Sequence, residues 1–262
     1  MRRRALAILA LLILAFSSRA LAARMVWPYR ITQVTFDQTN HFNPTINDVG
    51  QMAWCVARGA IYESFFTKTK GTVLKEASCV AAAGGNFQEM VWTQNVNGLS
   101  QVFSNRQGQV THDSVNHFDP VVNNKGEIAW VEAVGPYTQI FSNRQKQVTR
   151  GPVNHYQPAI NDLGEIIWVQ ESGVHLQVFS NRRGQLTFNL KDHLHPDLND
   201  PGEVVWIEKQ LGFWQVVSSI HGPVTFTPVD HIMPHINNLG AVVWSQKVGR
   251  YYQIFKARPR EW

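Results

Sequence analysis

The stretch Asn154–Trp168 reads NHYQPAINDLGEIIW. A His stands three residues ahead of a Pro, an Asn-Asp pair precedes a Gly, and an apolar run ends in Trp. Two readings compete: a local site built from His155, Asn161 and Asp162, or one copy of a structural unit. Recurrence decides between them. Trp54, Trp92, Trp130, Trp168, Trp206 and Trp244 are each 38 residues apart, with no insertion or deletion between them. A fixed period of that length marks a repeat architecture, in which one supersecondary unit stacks on the next.

The copies align beyond the Trp. HFNPTINDVGQMAW, HFDPVVNNKGEIAW, HLHPDLNDPGEVVW and HIMPHINNLGAVVW end at Trp54, Trp130, Trp206 and Trp244. A second motif follows each Trp, as in QVFSNR from Gln101 and QIFSNR from Gln139, and then a third, QVT or QLT, ending at Thr111, Thr149 and Thr187. Short runs rich in Val, Ile, Phe and Trp between turn residues are strands, and no helical period is sustained. Asn-Asp-x-Gly joins the first two strands, because Asn and Asp bond their own backbone and Gly accepts positive φ. Four antiparallel strands in about 40 residues make one propeller blade.

The ends of the repeat count the blades. The last copy stops after its third strand, QIFKAR, whereas ITQVTF (residues 31–36) is a fourth strand without a blade, and Thr35 lies two periods before Thr111. The expectation is an all-β, six-bladed β-propeller over residues 31–258, closed by the N-terminal strand pairing with the last blade. Closure removes exposed sheet edges.

The order Pro-x-Ile-Asn-Asp-x-Gly-x-Ile-x-Trp, then Gln-Val-Phe, then Gln-Val-Thr resembles the TolB-type β-propeller repeat. Asn at the start of the turn is also similar to bacterial tandem repeats with an N-x-x-G-x-x-A-F core. The resemblance implies the fold without the α/β domain that precedes the propeller in TolB, so TolB's own partners are not expected. Such repeats host many functions.

Ahead of the repeat, Arg2–Arg4, an apolar run from Ala5 to Phe16 and Ala20-Leu21-Ala22 read as a signal peptide over residues 1–22. The paired arginines allow twin-arginine as well as general secretory export. The run falls short of the roughly 20 residues of a membrane span. The leader holds four of the 24 Lys+Arg and no acid, so the mature chain carries 20 − 19 = +1. That balance lacks the basic footprint of nucleic-acid binding. A periplasmic or secreted monomer is expected, with no membrane span after leader removal.

His41, His117, His155, His193 and His231 share one repeat position, which Cys79 occupies in the second blade. The position falls where the last strand of one blade hands over to the innermost strand of the next, so the six are expected to ring one mouth of the channel. They either bond backbone across the blade junction or bind a ligand. His193, His195, His231 and His235 are the candidates for a metal cluster. Metal-dependent polysaccharide lyases on related propellers use such a His cluster. No cofactor is required by the sequence, and a divalent metal is compatible with it. On the same rim, Tyr137, His175, Phe213, Trp214, Arg250 and Tyr251 are candidates for glycan or peptide contact. In an exported chain the two cysteines, Cys55 and Cys79, are candidates for a disulfide. No nucleophile elbow, H-E-x-x-H or phosphate loop occurs. The expected function is a non-catalytic binding module for a protein or glycan; the alternative is a metal-dependent lyase or hydrolase acting on polysaccharide at the His-bearing mouth.

Overall fold

The computed structural model describes residues 28–58, 61–66, 75–76, 81–82 and 89–260. The expected signal peptide and Cys79 lie outside the described residues. Among these residues there is no helix, and so none long and apolar enough to cross a membrane. The strands assemble into six four-stranded antiparallel sheets.

The fourth sheet shows the unit. Its strands His155–Ile160, Ile166–Ser172, His175–Ser180 and Gly184–Gln185 pair in chain order. Each begins and ends close to where the repeat motifs place it. The third sheet begins at His117–Val122 and the fifth at His193–Leu198. The sixth draws on both ends of the chain: His231–Ile236, Val242–Val248 and Tyr251–Pro259 are followed by Tyr29–Gln33, with Ile31 opposite Ala257.

The repeated polar residues explain themselves inside this unit. In the second sheet, Gln101 Nε2 donates to the carbonyls of Asp113 and Val115, each at 3.1 Å. Thr111 donates to Gln101 Oε1 at 2.8 Å and accepts from the Val102 amide at 2.9 Å. The Gln and Thr motifs thus tie the fourth strand and its loop to the third strand. In the sixth sheet Gln253 makes the same pair of contacts to Asp37 and Thr39, and Thr35 accepts from the Ile254 amide. The N-terminal segment therefore fills the place that the fourth strand fills elsewhere.

Apolar side chains pack between neighbouring sheets. Val122, Ile128 and Trp130 of the third sheet meet Val91 and Val102 of the second. Ile160, Ile166 and Trp168 of the fourth meet Ala129, Val131 and Ile140 of the third. Ile46 of the first sheet packs on Ala241 and Val243 of the sixth. Trp130, Trp168 and Trp244 are buried as expected of wedges between sheets, whereas Trp54, Trp92 and Trp206 are half-buried.

The Asn-Asp-x-Gly turn does more than the expected local work. Within its own turn, Asn161 Oδ1 accepts from the Leu163 and Glu165 amides at 3.1 and 2.9 Å, and Gly164 takes φ of 76°. Its Nδ2 donates to the Asn199 carbonyl of the next sheet at 3.2 Å. Asn123 donates to Asn161, Asn199 to Asn237, and Asn237 to Asn47 in the same way. A second ladder runs beside it, as the Asn124, Asp162, Asp200 and Asn238 amides donate to the side chains of Asp162, Asp200, Asn238 and Asp48.

Asn161→Asp keeps the turn acceptor and removes the donor to the next sheet. A buried carbonyl left without its partner costs about 1–3 kcal/mol. Urea unfolding should show a loss of that size for Asn161→Asp and a larger one for Asn161→Ala, which also orphans the turn amides.

Candidate functional site

In five sheets the first strand carries a local irregularity. In the fourth sheet Tyr156 pairs with Val169 and Ala159 with Ile167, so the register slips across Gln157-Pro158. The residue ahead of Pro is left-handed in five sheets: Asn43, Asp119, Gln157, His195 and Met233 have φ between 46° and 55°. Bulges of this kind re-aim side chains. Here all five residues line one cavity of about 850 Å³, together with Thr45, Val121, Ala159, Asp197 and His235 from two positions further on. The Asn-Asp turns contribute Asp48, Asn124, Asp162, Asp200 and Asn238 to the same lining.

Two groups in the cavity stand apart. Asp119 has no hydrogen-bond or ion-pair partner among the described residues. It reaches the solvent of the cavity, yet protein surrounds it, and the lost hydration raises its carboxyl above the ordinary 3.8. The His195 imidazole is likewise unpaired, and burial lowers it from 6.5, keeping it neutral at neutral pH. Gln157, from the sheet between them, accepts from the His195 amide at 2.8 Å through Oε1.

A third pair is built in. The Ile46 amide donates to His235 Nδ1 at 3.4 Å, so Nε2 carries the proton. That nitrogen faces Thr45 Oγ1 at 3.2 Å and Asp197 Oδ2 at 3.6 Å. Burial raises the Asp197 carboxyl, while His235 and the Ile236 and Leu198 amides pull it back down without cancelling the effect.

The repeated His series lies in the sheet interfaces and not in this cavity. His41, His117, His155, His193 and His231 are all buried, and none lines the cavity. Strand alternation sends them into the sheet interface, and the bulge turns the residue two positions later toward the cavity. Each packs on the Trp of its own sheet, as His155 on Trp168 with ring centroids 6.0 Å apart. His117, His155 and His231 place Nδ1 at 3.1–3.2 Å from the Ser100, Thr138 and Trp214 carbonyls of the preceding sheet. Burial lowers His155 and His231 from 6.5, outweighing the hydrogen bonds that raise them. Of the expected metal candidates, His193 and His231 lie in these interfaces, while His195 and His235 line the cavity; the four do not form one cluster.

The expected rim residues are scattered among other contacts. Phe213 and Arg250 are exposed, and Tyr137, Tyr251 and Trp214 are half-buried, with Lys209 Nζ 5.2 Å from the Trp214 ring centroid. His175 faces Asp192 at 3.4 Å. None of these six lines the cavity. Cys55 is buried and disulfide-bonded.

Sequence reasoning missed Asn43, Asp119, Gln157 and Met233. They sit at a variable position of an otherwise regular motif, the residue ahead of Pro, and that variability was the available signal.

No family model matches the chain, and no curated protein matches it. Solved structures do. The β-propeller domain of the trilobed protease from Pyrococcus furiosus overlays with a TM-score of 0.53 at 9% identity, covering 83% of this chain and 95% of that one. The fold is a β-propeller. A gluconolactonase from Xanthomonas campestris overlays with a TM-score of 0.57 at 12% identity, over 88% and 90% of the two chains. A putative oxidoreductase (glucose dehydrogenase) from Thermus thermophilus gives 0.51 at 11%, over 87% and 99%. These overlaps correct the expectation of a non-catalytic binding module. Several of these neighbours are named as enzymes, a puromycin hydrolase also among them although the overlap spans 47% of its chain, and a scaffold without catalysis has no support from them.

Proposed function

We propose that this propeller is an enzyme, a hydrolase or lyase that acts on a sugar-like, polyhydroxylated substrate held in the channel cavity. The observation that carries the reading is that an unpartnered carboxylate, Asp119, and an unpartnered neutral imidazole, His195, line the same cavity. The volume falls within the roughly 300–1,000 Å³ of small-molecule sites. Asn43 and Gln157 add amide donors and acceptors suited to hydroxyl groups, and Met233 and the Pro residues give apolar wall. Two of the structural neighbours are named for sugar chemistry, as gluconolactonase and glucose dehydrogenase, which agrees with that lining.

In this reading Asp119 is the general base. A raised carboxyl is the stronger base once ionised. His195, neutral, offers its ring N–H to the oxygen that gains charge in the transition state. Both groups act deprotonated, so activity is complete above both values and is lost as pH falls through them.

The reading extends to the whole fold and its location. Six blades closing into a ring are supported by the pairing of Tyr29–Gln33 with Tyr251–Pro259 and by the packing of Ile46 on the sixth sheet. The motif order supports a TolB-type repeat. Export is supported by the basic start, apolar run and Ala20-Leu21-Ala22 of the leader and by the oxidised state of Cys55.

Three measurements test these statements. Against a panel of aldonolactones, aryl glycosides and uronate oligosaccharides, turnover should fall on an acid limb that lies above pH 3.8, the ordinary value from which Asp119 is raised. Asp119→Asn should lower kcat by about 100-fold or more; unchanged turnover in both Asp119→Asn and His195→Gln overturns the assignment. Deleting residues 29–36 should lower the melting temperature and expose the edge of Tyr251–Pro259, and an unaltered melting curve contradicts closure. N-terminal sequencing of the exported chain should begin at Ala23, and an intact Met1 contradicts cleavage.

A further inference from the structure

The third sheet carries a side-chain cluster that the channel chemistry does not use. His117 is fully buried, and its Nδ1 lies 3.2 Å from the Ser100 carbonyl. A carbonyl accepts only, so Nδ1 carries a proton, and in the neutral ring Nε2 keeps its lone pair. Nε2 faces two carboxylates, Asp113 Oδ2 at 3.3 Å and Glu132 Oε2 at 3.4 Å. It makes a hydrogen bond to neither. A buried lone pair aimed between two anionic oxygens is unfavourable unless a positive charge sits among them.

Each group is held from behind. Glu132 lies directly opposite His117 in the strand register, and Trp130 Nε1 donates to its Oε2 at 3.3 Å. Asp113 Oδ1 accepts from the Val115 amide at 3.1 Å, which leaves Oδ2 to His117.

The repeat provides an internal comparison. The fifth sheet has Asn189, His193 and Glu208 at these positions, and there Lys191 Nζ reaches Glu208 Oε1 at 2.7 Å. Burial opposes ionisation of Glu208, but His193, Lys191 and Trp206 outweigh it and hold the carboxyl far below the usual range. The third sheet has Val115 where the fifth has Lys191, and Asp113 where the fifth has neutral Asn189. It therefore has one carboxylate more and one ammonium fewer.

We propose that Asp113, His117 and Glu132 bind a divalent cation, Zn²⁺ by donor type. The three ligand atoms lie within 4.8 Å of one another. Around a tetrahedral centre with bonds of about 2.0–2.1 Å, ligands stand about 3.3–3.4 Å apart, which the two separations from Nε2 match. One imidazole and two carboxylates suit zinc. The Nδ1–H to backbone carbonyl bond is the outer contact that orients a ligating histidine. The Asp113 side chain is 51% exposed, giving the ion an entry path and room for a water as fourth ligand. The ion fastens the loop between the second and third sheets.

Isothermal titration of the full chain, stripped with chelator and supplied with Zn²⁺, tests this. One equivalent should bind and raise the melting temperature. Asp113→Asn and Glu132→Gln should each weaken binding at least tenfold. Both put into the third sheet what the repeat already holds elsewhere, Asn189 in the fifth and Gln170 in the fourth, so the fold is kept. Asp37→Asn, beside His41 in the first sheet, should leave the affinity unchanged. Absence of stoichiometric binding, or equal affinity in Asp113→Asn and Glu132→Gln, overturns the site. A His117 ring doubly protonated at neutral pH in Zn²⁺-supplied protein, read by NMR, overturns it too, since an imidazolium then supplies the charge.

Discussion

A side-chain amide donating to a backbone carbonyl of the next sheet holds this molecule's geometry. Apolar packing between sheets is strong but non-directional. Two faces of Val, Ile and Trp can slide by a residue at little cost. Asn161, bonded through Oδ1 to its own turn and through Nδ2 to Asn199, has no such freedom. The turn fixes the amide, and the amide fixes the neighbouring turn. Asp would satisfy the first half only, because an ionised carboxylate accepts but does not donate. The parallel ladder uses Asp at the following position, where the incoming group is a backbone N–H and an acceptor is required.

This division also explains how far the sequence could be read. The 38-residue period, the strand character of each motif and the Asn-Asp-x-Gly turns are local properties, and local chemistry writes them into every copy. The second role of Asn161 is not local. A spacing shows that Asn recurs, but not that its amide points out of its own hairpin. The His series shows the same limit from the other side. Recurrence was visible, but the register slips just after His155, at Gln157, and the residue there is neither Gly nor constant. Strand alternation continued through that point would put Gln157 on the same face as His155 and would not separate the interface from the cavity.

Repetition and deviation therefore carry different information here. Positions that repeat, such as the Trp, the interface His, the Gln and Thr of the outer strands and the turn Asn, are accounted for by bonds within a sheet or to its neighbour. The bulge positions, which differ between sheets, face the cavity. A left-handed residue other than Gly or Asn costs roughly 1–3 kcal/mol, and stability alone would favour those two at each bulge. Asp119, Gln157, His195 and Met233 hold that conformation instead. What the strain secures is a side chain aimed into the cavity, a different one from each of five sheets. A scaffold of equivalent blades has no use for such differences, whereas a site for one asymmetric substrate requires them.

The third and fifth sheets extend the same point to the interfaces. Around His193 the repeat is balanced by an ammonium from Lys191, and the charges close within the protein. Around His117 the Trp and the cross-strand Glu are kept, and Nδ1 gains a backbone carbonyl that His193 lacks, but the ammonium is missing and a second carboxylate is present. Packing alone gives no reason to add an anion where a cation has been lost, because an unbalanced buried charge is among the costlier features a fold can carry. The difference makes sense as an exchange of one source of positive charge for another. In the fifth sheet the source is covalently part of the chain; in the third it comes from solution.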